Sequence, residues 1–369
     1  MDSLPRRAFL GAELPPDDEA FSERGMRIVG VLPDGMAEAA QLVGGDVVVA
    51  IADRPVRDLC ELGTALRAAG ALRSVELVVE RGDERVARSV EVVAVARDPR
   101  VDYGELIVGG ARLRTLTTRA DAARAIVVVV QGIACESVEA SPLSALASAW
   151  ARAGYTSLLF DKRGVGDSEG GACTATDFAT ELADARAVIA SAQGLPVVVF
   201  GHSVGGIIAA QLAARAAGVI VYGAPVMKWI DCLVDSTRRQ LALRGATDDE
   251  IRARVAALHE LTARGELNGR SAAYHAQLAA LDTEAAWRAV TAPVLVARGE
   301  YDWVVDAGDQ ARVATLARGP TTILDLPGLD HLLGWHPDRD ASLVDYGAGA
   351  LDETLATRTI AWLDDLLAG

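Results

Sequence analysis

The sequence is short of cysteine, of aromatic residues and of positive charge. Its four cysteines are too few for a disulfide framework in 369 residues, and no pair has the close spacing of zinc ligands. Lysine and arginine total 36 against 51 aspartates and glutamates, a formal net charge of −15 that disfavours nonspecific binding to nucleic acid. The composition therefore favours a reducing compartment and predicts no metal site and no nucleic-acid partner.

Long apolar runs are also missing. Residues 1–7 lead into acidic sequence without the apolar stretch that a secretory signal requires, so we expect a cytoplasmic protein. The most apolar region, residues 195–226, is interrupted by polar side chains, whereas a membrane span needs ~20 predominantly apolar residues. We therefore expect buried strands and a buried helix in this region and no membrane span.

The chain nevertheless has enough apolar residues for a large core. Hydrophobic residues make up 51% of the chain and charged residues 24%, as in ordinary globular proteins. A length of 369 residues is about twice that of a usual domain, which predicts two domains. Short strands with glycine turns give way after residue 98 to alternating helices and β-branched runs, so we place the domains at residues 1–98 and 99–369.

The first domain has an order of elements that resembles a PDZ domain. A strand over residues 25–32 precedes a P-x-x-x-A turn, a G-D-x-V-x-x-I strand over residues 45–51 and a helix over residues 58–69. The resemblance implies a small α+β domain that binds an extended peptide, or a protein carboxyl terminus, as an added strand. The residues that it places at this peptide site are Leu10, Gly11, Ala12, Leu62 and Leu66. The alternative is that the leucines are ordinary core residues.

The second domain alternates apolar strands with helices, which predicts a doubly wound, mostly parallel sheet covered on both faces. Candidate strands cover residues 126–130, 157–160, 197–200, 219–222, 294–297 and 322–326. Candidate helices cover residues 142–153, 177–191, 203–216 and 306–316. Functional groups should collect at the carboxyl ends of such strands.

A G-x-S-x-G motif occupies one of these strand ends. Residues 197–200 run directly into Gly201-His-Ser203-Val-Gly205, and a helix follows. Strand before and helix after are the context of a nucleophile elbow, in which glycines allow strand and helix to approach closely. Ser203 is therefore the predicted nucleophile.

Residues 103–369 resemble the α/β-hydrolase superfamily, in which the catalytic residues follow the order serine, acid, histidine. Asp302 stands in a G-x-x-D-x-x-V loop after the strand at residues 294–297, and His331 follows the strand at residues 322–326. The resemblance implies a triad of Ser203, Asp302 and His331. Weaker candidates for the acid are Glu300, Asp306 and Asp330, and the other histidines are His202, His259, His275 and His336.

The same resemblance implies an oxyanion hole and a helical cap. The backbone N–H groups of Val204 and Ile133 are the expected donors to the oxyanion. Residues 226–291 are the expected cap, with Thr247 and Glu250 at the spacing of a capping box. The candidate substrate contacts are Gln131, Trp229, Tyr274, His275 and Trp335, for each of which ordinary packing is the alternative.

These features predict a serine hydrolase that cleaves an ester or thioester of a small or acyl substrate through an acyl-enzyme, without a metal or organic cofactor. One alternative is a peptidase or amidase whose PDZ-like domain holds a peptide tail. Another is an adaptor in which only the PDZ-like domain acts. Cys135 and Cys173 lie in loops near the predicted site, and we expect two unrelated small apolar residues rather than a disulfide.

Overall fold

The computed structural model describes residues 4–15, 20–265, 267–349 and 352–368. The chain divides into two compact units. The first comprises Met1–Pro99, Gly109–Arg114 and Asp161–Cys173, and the second comprises Arg100–Val108, Thr115–Phe160 and Thr174–Gly369.

The first unit is built of short antiparallel strands and two helices. Its strands are β1 (Ala12–Glu13), β2 (Phe21–Ser22), β3 (Gly25–Arg27), β4 (Gly30–Val31), β5 (Val47–Ile51), β6 (Arg54–Pro55), β7 (Ser74–Arg81) and β8 (Glu84–Glu91). Its helices are α1 (Met36–Ala39) and α2 (Leu59–Gly70). Strands β2, β3, β5, β7 and β8 pair in that order, β6 pairs with β5, and β1 pairs with β4.

Alternating apolar residues explain strand β7, and a helix cap explains where α2 begins. Val75, Leu77 and Val79 occupy alternate positions of β7 and are buried in the core, as expected of a half-buried strand. Helix α2 begins where Asp58 caps it by accepting a hydrogen bond from the backbone N–H of Glu61 at 2.7 Å. The predicted helix at residues 58–69 is thus present.

A buried carboxylate connects distant segments within the first unit. Asp167 accepts hydrogen bonds from Arg6 Nη1 at 2.5 Å, from the backbone N–H of Arg7 at 2.9 Å and from Arg114 Nε at 3.1 Å. Burial alone would raise the pKa of Asp167, but these donors outweigh it and lower the pKa. Asp167 is therefore an ionised structural residue.

The second unit contains an eight-stranded sheet covered by helices. The strands are β9 (Val101–Val108), β10 (Ala111–Thr118), β11 (Ala125–Val130), β12 (Tyr155–Phe160), β13 (Val197–His202), β14 (Gly218–Tyr222), β15 (Val294–Tyr301) and β16 (Thr321–Asp330), and the residues of β10 up to Arg114 are counted in the first unit. Their order is β16-β15-β14-β13-β11-β12-β10-β9. The pairings from β16 to β12 are parallel, and β10 pairs antiparallel with β12, so the expected mostly parallel sheet is confirmed.

The helices of this unit follow the predicted alternation. They are α3 (Pro142–Arg152), α4 (Phe178–Ser191), α5 (Val204–Leu212), α6 (Trp229–Leu243), α7 (Asp248–Arg264), α8 (Ala272–Ala279), α9 (Thr283–Arg288), α10 (Ala307–Ala311), α11 (Val313–Leu316), α12 (Arg339–Val344) and α13 (Glu353–Ala368). Helices α6 to α9 form the insertion between β14 and β15. The capping box of Thr247 and Glu250 starts α7, and Gly265 ends it with a φ of +74°.

The four cysteines are of two kinds, disulfide-bonded and free. Cys135 and Cys173 are each in a disulfide, which corrects the expectation of two unrelated small apolar residues, because the sequence gives no distance between thiols. Cys60 and Cys232 have free thiols. Among the described residues, no helix is both long and apolar enough to cross a membrane.

Candidate active site

Ser203 lies at the sharp turn between β13 and α5. Its φ of +53° and ψ of −122° are rare for a residue with a side chain. The turn requires glycine on both sides, because a Cβ at Gly201 would lie 2.5 Å from the Gly205 carbonyl oxygen and a Cβ at Gly205 would overlap the Val130 carbonyl. The backbone strain at Ser203 is that of a nucleophile elbow.

His331 follows β16 and contacts Asp302, which follows β15. The Nδ1 atom of His331 lies 3.0 Å from Asp302 Oδ2 and 3.1 Å from Oδ1. Asp302 Oδ1 also accepts the backbone N–H groups of Val304 at 3.0 Å and Val305 at 2.8 Å. The carboxylate is therefore fixed in place, and it holds a proton on Nδ1 so that Nε2 is free to accept one.

A second buried carboxylate, Asp330, forms several hydrogen bonds within the loop that carries His331. Asp330 accepts backbone N–H groups of Leu332 at 2.8 Å and Gly347 at 2.6 Å, and it lies 2.9 Å from His336 Nε2. His202 Nε2 lies 2.8 Å from the backbone oxygen of His331. These contacts hold the histidine loop from several sides, and no local sequence pattern indicates them.

The other acid candidates contact different partners. Asp306 caps α10 by accepting the N–H groups of Gly308 at 2.7 Å and Asp309 at 3.1 Å. Glu300 accepts the N–H of Gly328 at 2.9 Å. Among the carboxylates that the structure describes, Asp302 is the one hydrogen-bonded to His331 Nδ1.

Gly223 follows β14 and lies against this pair. A Cβ built there would lie 2.7 Å from His331 Nδ1 and 3.1 Å from Asp302 Oδ2, and its φ is +60°. We expect Gly223→Ala to displace the imidazole and to lower kcat for any substrate by ~10²-fold. The control is Gly194→Ala, which has a similar φ of +86° but no atom within 4 Å of its Cβ. Equal kcat values for the two variants would contradict this role.

Ser203 and His331 line a cavity of about 640 Å³, together with Gln131, Ile133 and Trp229. Gln131 is nevertheless buried and donates from Nε2 to the Phe160 backbone oxygen at 3.3 Å.

The other three candidate contacts lie elsewhere. Tyr274 is fully buried, with the guanidinium of Arg270 3.9 Å from its ring centre. His275 is buried and hydrogen-bonded to Trp229, and Trp335 is 46% exposed. None of the three lines the described cavity.

The expected oxyanion donors lie next to the nucleophile. Val204 is the first residue of α5, so its N–H has no partner within the helix. Ile133 lines the cavity, and the preceding Gly132 is so close that a Cβ there would lie 3.2 Å from Ser203 Cβ. Val204 thus adjoins Ser203 in the chain, and Ile133 follows a glycine that lies against this serine.

His275 connects two parts of the cap. Its Nδ1 accepts the indole N–H of Trp229 at 3.1 Å, and its Nε2–H donates to the Leu267 backbone oxygen at 3.0 Å. The bond from Trp229 needs the neutral ring, because a protonated Nδ1 cannot accept, whereas Nε2–H can donate to Leu267 in either protonation state. Burial lowers the pKa of His275, which favours the same neutral form.

This contact predicts a pH dependence of stability. The unfolded chain takes up a proton at His275 near pH ~6.5, before the folded protein does. The contribution of His275 to the free energy of unfolding is therefore complete above this pH. It is lost as the pH falls through the lower pKa of the folded protein, and the free energy of unfolding then changes by up to about 1.4 kcal/mol per pH unit. We expect His275→Gln to remove this slope from denaturant unfolding curves. His259→Gln, at an exposed histidine of α7, should keep it, and an unchanged slope in His275→Gln would contradict the assignment.

No group of three or more His, Cys, Asp or Glu side chains that could hold a metal ion is found within the described ranges.

The mostly parallel sheet and the serine at the sharp turn after β13 define an α/β hydrolase. The sequence matches the family described as "Serine aminopeptidase, S33" over residues 121–336, and the chain belongs to this family. It is a hydrolase. A comparison with curated proteins found no match.

Several solved structures share the fold. Est1E from Butyrivibrio proteoclasticus, bound to ferulic acid, is 15% identical, and the match covers 72% of this chain and 99% of that one with a TM-score of 0.52. A soluble variant of monoglyceride lipase from Saccharomyces cerevisiae is 18% identical, with 72% and 95% covered and a TM-score of 0.51. GrgF, an alpha/beta hydrolase from Penicillium sp. sh18, is 18% identical, with 73% and 99% covered and a TM-score of 0.51.

Proposed function

We propose that this chain is a serine hydrolase that cleaves an ester or thioester of a small or acyl substrate. The observation that carries the proposal is the hydrogen bond between His331 Nδ1 and Asp302, in a cavity lined by His331 and by the strained Ser203. A histidine oriented through Nδ1 has its Nε2 available as a base for a serine hydroxyl.

The reaction has two halves. Ser203 Oγ attacks the carbonyl carbon while His331 Nε2 takes the hydroxyl proton. The bond to the leaving oxygen or sulfur then breaks, and His331 gives the proton to that atom, which leaves an acyl-enzyme. Water attacks the acyl-enzyme in turn, His331 takes a proton from the water and returns it to Ser203, and the carboxylic acid is released.

The negative oxygen of each tetrahedral intermediate would accept the N–H groups of Val204 and Ile133. These donors belong to the backbone, so they need no reorganisation during the reaction. Loss of one such hydrogen bond typically costs ~3–4 kcal/mol of transition-state stabilisation. The acid that orients His331 is Asp302.

A peptidase is the second candidate, and the description of the family favours it. An aminopeptidase must hold the positive α-amino group of its substrate. Glu136 is the one carboxylate among the described residues that line the cavity, whereas Arg244 and Arg254 line it as well. A cavity with this charge suits a cationic amine poorly, so we place the ester first.

A substrate panel tests this order. We expect turnover of 4-nitrophenyl esters and acyl thioesters to exceed that of aminoacyl 4-nitroanilides by at least about 10²-fold in kcat/KM, because amines are poorer leaving groups. Ser203→Ala distinguishes enzyme turnover from background hydrolysis. Preferred cleavage of the anilides or of peptides would overturn the ester proposal in favour of the peptidase.

We further propose that residues 1–98 form a PDZ-like domain that binds a peptide carboxyl terminus, and that residues 99–369 form the hydrolase domain. Strand β1 has one strand neighbour among the described residues, which suits an added strand, and Gly11 has a φ of +69° at its start. Leu62 and Leu66 are partly buried on α2, whereas Leu10 is buried in the core.

Peptide binding to the full chain tests this second proposal. A fluorescent peptide ending in an apolar residue with a free carboxylate should bind at least about tenfold more tightly than its amide. Leu62→Lys should weaken binding of the free acid. Equal binding of acid and amide would contradict the PDZ-like site.

A further inference from the structure

The cavity wall formed by α6 changes character along the helix. Trp229 and Leu233 line the cavity near the start of α6, Thr237 and Gln240 line it further along, and Arg244 lines it directly after the helix ends. Residues three and four apart share one face of a helix, so these side chains form a single stripe. From Trp229 to Arg244 the stripe spans 15 residue-to-residue steps, or roughly 22 Å at ~1.5 Å per step.

The stripe begins in the same cavity that His331 lines, a few residues after a glycine that lies against this histidine. Gly223, which lies against His331, is separated from Trp229 by only five residues, and Pro225 between them lines the cavity. The wall is therefore apolar at the start of α6, the end closer in the chain to Gly223, and cationic at the other end of the helix. A substrate that follows this wall meets apolar surface first and positive charge last.

The neighbouring helix α7 adds a second positive charge. Arg254 also lines the cavity, and both Arg244 and Arg254 are exposed. In the part of the chain that the structure describes, neither guanidinium has an ion pair or a side-chain hydrogen bond. Other arginines of the same helices do: Arg239 pairs with Asp235 and lies 3.6 Å from Asp306, and Arg252 pairs with Asp249.

This pair of arginines stands out in an acidic chain. The net charge is −15, yet among the described residues that line the cavity the permanently charged side chains are the two arginines and Glu136, and the titratable histidines are His202 and His331. With both histidines neutral, the wall has a net charge of +1. One carboxylate balances that charge, whereas a doubly charged phosphate exceeds it.

We infer that the substrate is an ester that carries a carboxylate at the end of an apolar segment, and that Arg244 and Arg254 bind this carboxylate. The inference rests on the proposed ester hydrolysis and adds the class of substrate. The planar guanidinium presents paired N–H donors that match the two oxygens of a carboxylate. The apolar segment lies along the Trp229 and Leu233 part of the stripe.

Matched ester pairs test this inference. One series is the 4-nitrophenyl half-esters of glutarate, adipate and suberate, each compared with the analogue whose free carboxylate is methylated. A second series carries the carboxylate, free or methylated, on the alcohol side. In at least one series we expect the free carboxylate to raise kcat/KM by about 10²-fold over its methylated match.

Variants assign the preference to the arginines. Arg244→Gln and Arg254→Gln should each lower the ratio of kcat/KM for the free and methylated esters by about tenfold, and the double variant should abolish the preference. Arg252 lies on α7 but does not line the cavity, so Arg252→Gln should leave the ratio unchanged. Glu136→Gln should keep or increase the ratio.

The outcome can be separated from that of the proposed function. Calorimetry with Ser203→Ala measures binding of the intact suberate half-ester and its methylated match without turnover. If neither series shows a carboxylate preference, or if the preference persists in the double variant, the inference is wrong even when neutral esters are hydrolysed. If no ester is hydrolysed, the proposed function fails, and the binding ratio still decides the inference.

Discussion

Replacing Ser203 with alanine is expected to lower kcat for ester hydrolysis by ~10⁴–10⁶-fold while the protein stays folded. The hydroxyl supplies the nucleophile, and no other described hydroxyl occupies a strained turn at the cavity. Alanine fits the same backbone with one atom fewer. Steady-state kinetics on the best ester, together with thermal unfolding, measures both parts of this prediction.

Ser148→Ala is the matched control for this variant. Its hydroxyl donates to the Ser144 carbonyl at 3.0 Å within α3 and does not line the cavity. We expect its kcat to stay near that of the wild type. Turnover by Ser203→Ala within about tenfold of Ser148→Ala would mean that another group attacks the substrate.

Asp302→Asn is expected to lower kcat by ~10³–10⁴-fold at neutral pH. The amide that replaces the carboxylate can present its NH₂ group to His331 Nδ1, which makes Nδ1 an acceptor and leaves the proton on Nε2. An Nε2 that already carries a proton cannot take one from Ser203. The backbone donors of Val304 and Val305 accommodate the amide oxygen, so the fold is expected to remain.

The control for this change is Asp306→Asn. Asparagine is also a good helix cap, and Asp306 caps α10 without contacting His331. Its kcat should stay near that of the wild type, measured over pH 5 to 9 in parallel with Asp302→Asn. If both variants retain activity, the acid lies elsewhere, and Glu300 and Asp330 become the next residues to change.

Much of the framework could be predicted from short sequence patterns. Strands β11, β13 and β14 are apolar runs with few polar interruptions, and glycines close to Ser203 mark the elbow. These signals are local, because strand propensity and turn chemistry depend on neighbouring residues. The capping box of α7 belongs to the same class.

Other elements carried no such signal. Strand β10 includes two arginines and three threonines and resembles a polar loop, although six of its eight residues are buried. The role of Gly223 depends on the position of His331, which is 108 residues away in the chain. The cap candidates were equally ambiguous: Trp229 reaches the cavity, whereas Tyr274 is buried, because an aromatic residue on an amphipathic helix can pack either way.

The central claim is that Ser203 is a nucleophile activated by His331. A fluorophosphonate probe bound covalently to the folded protein, followed by peptide mass spectrometry, tests this claim most directly. We predict labelling at Ser203, no labelling of Ser203→Ala, and a labelling rate that is at least about 10²-fold lower in His331→Ala but unchanged in His259→Ala. Labelling at another residue, or an equal rate in wild type and His331→Ala, would contradict it.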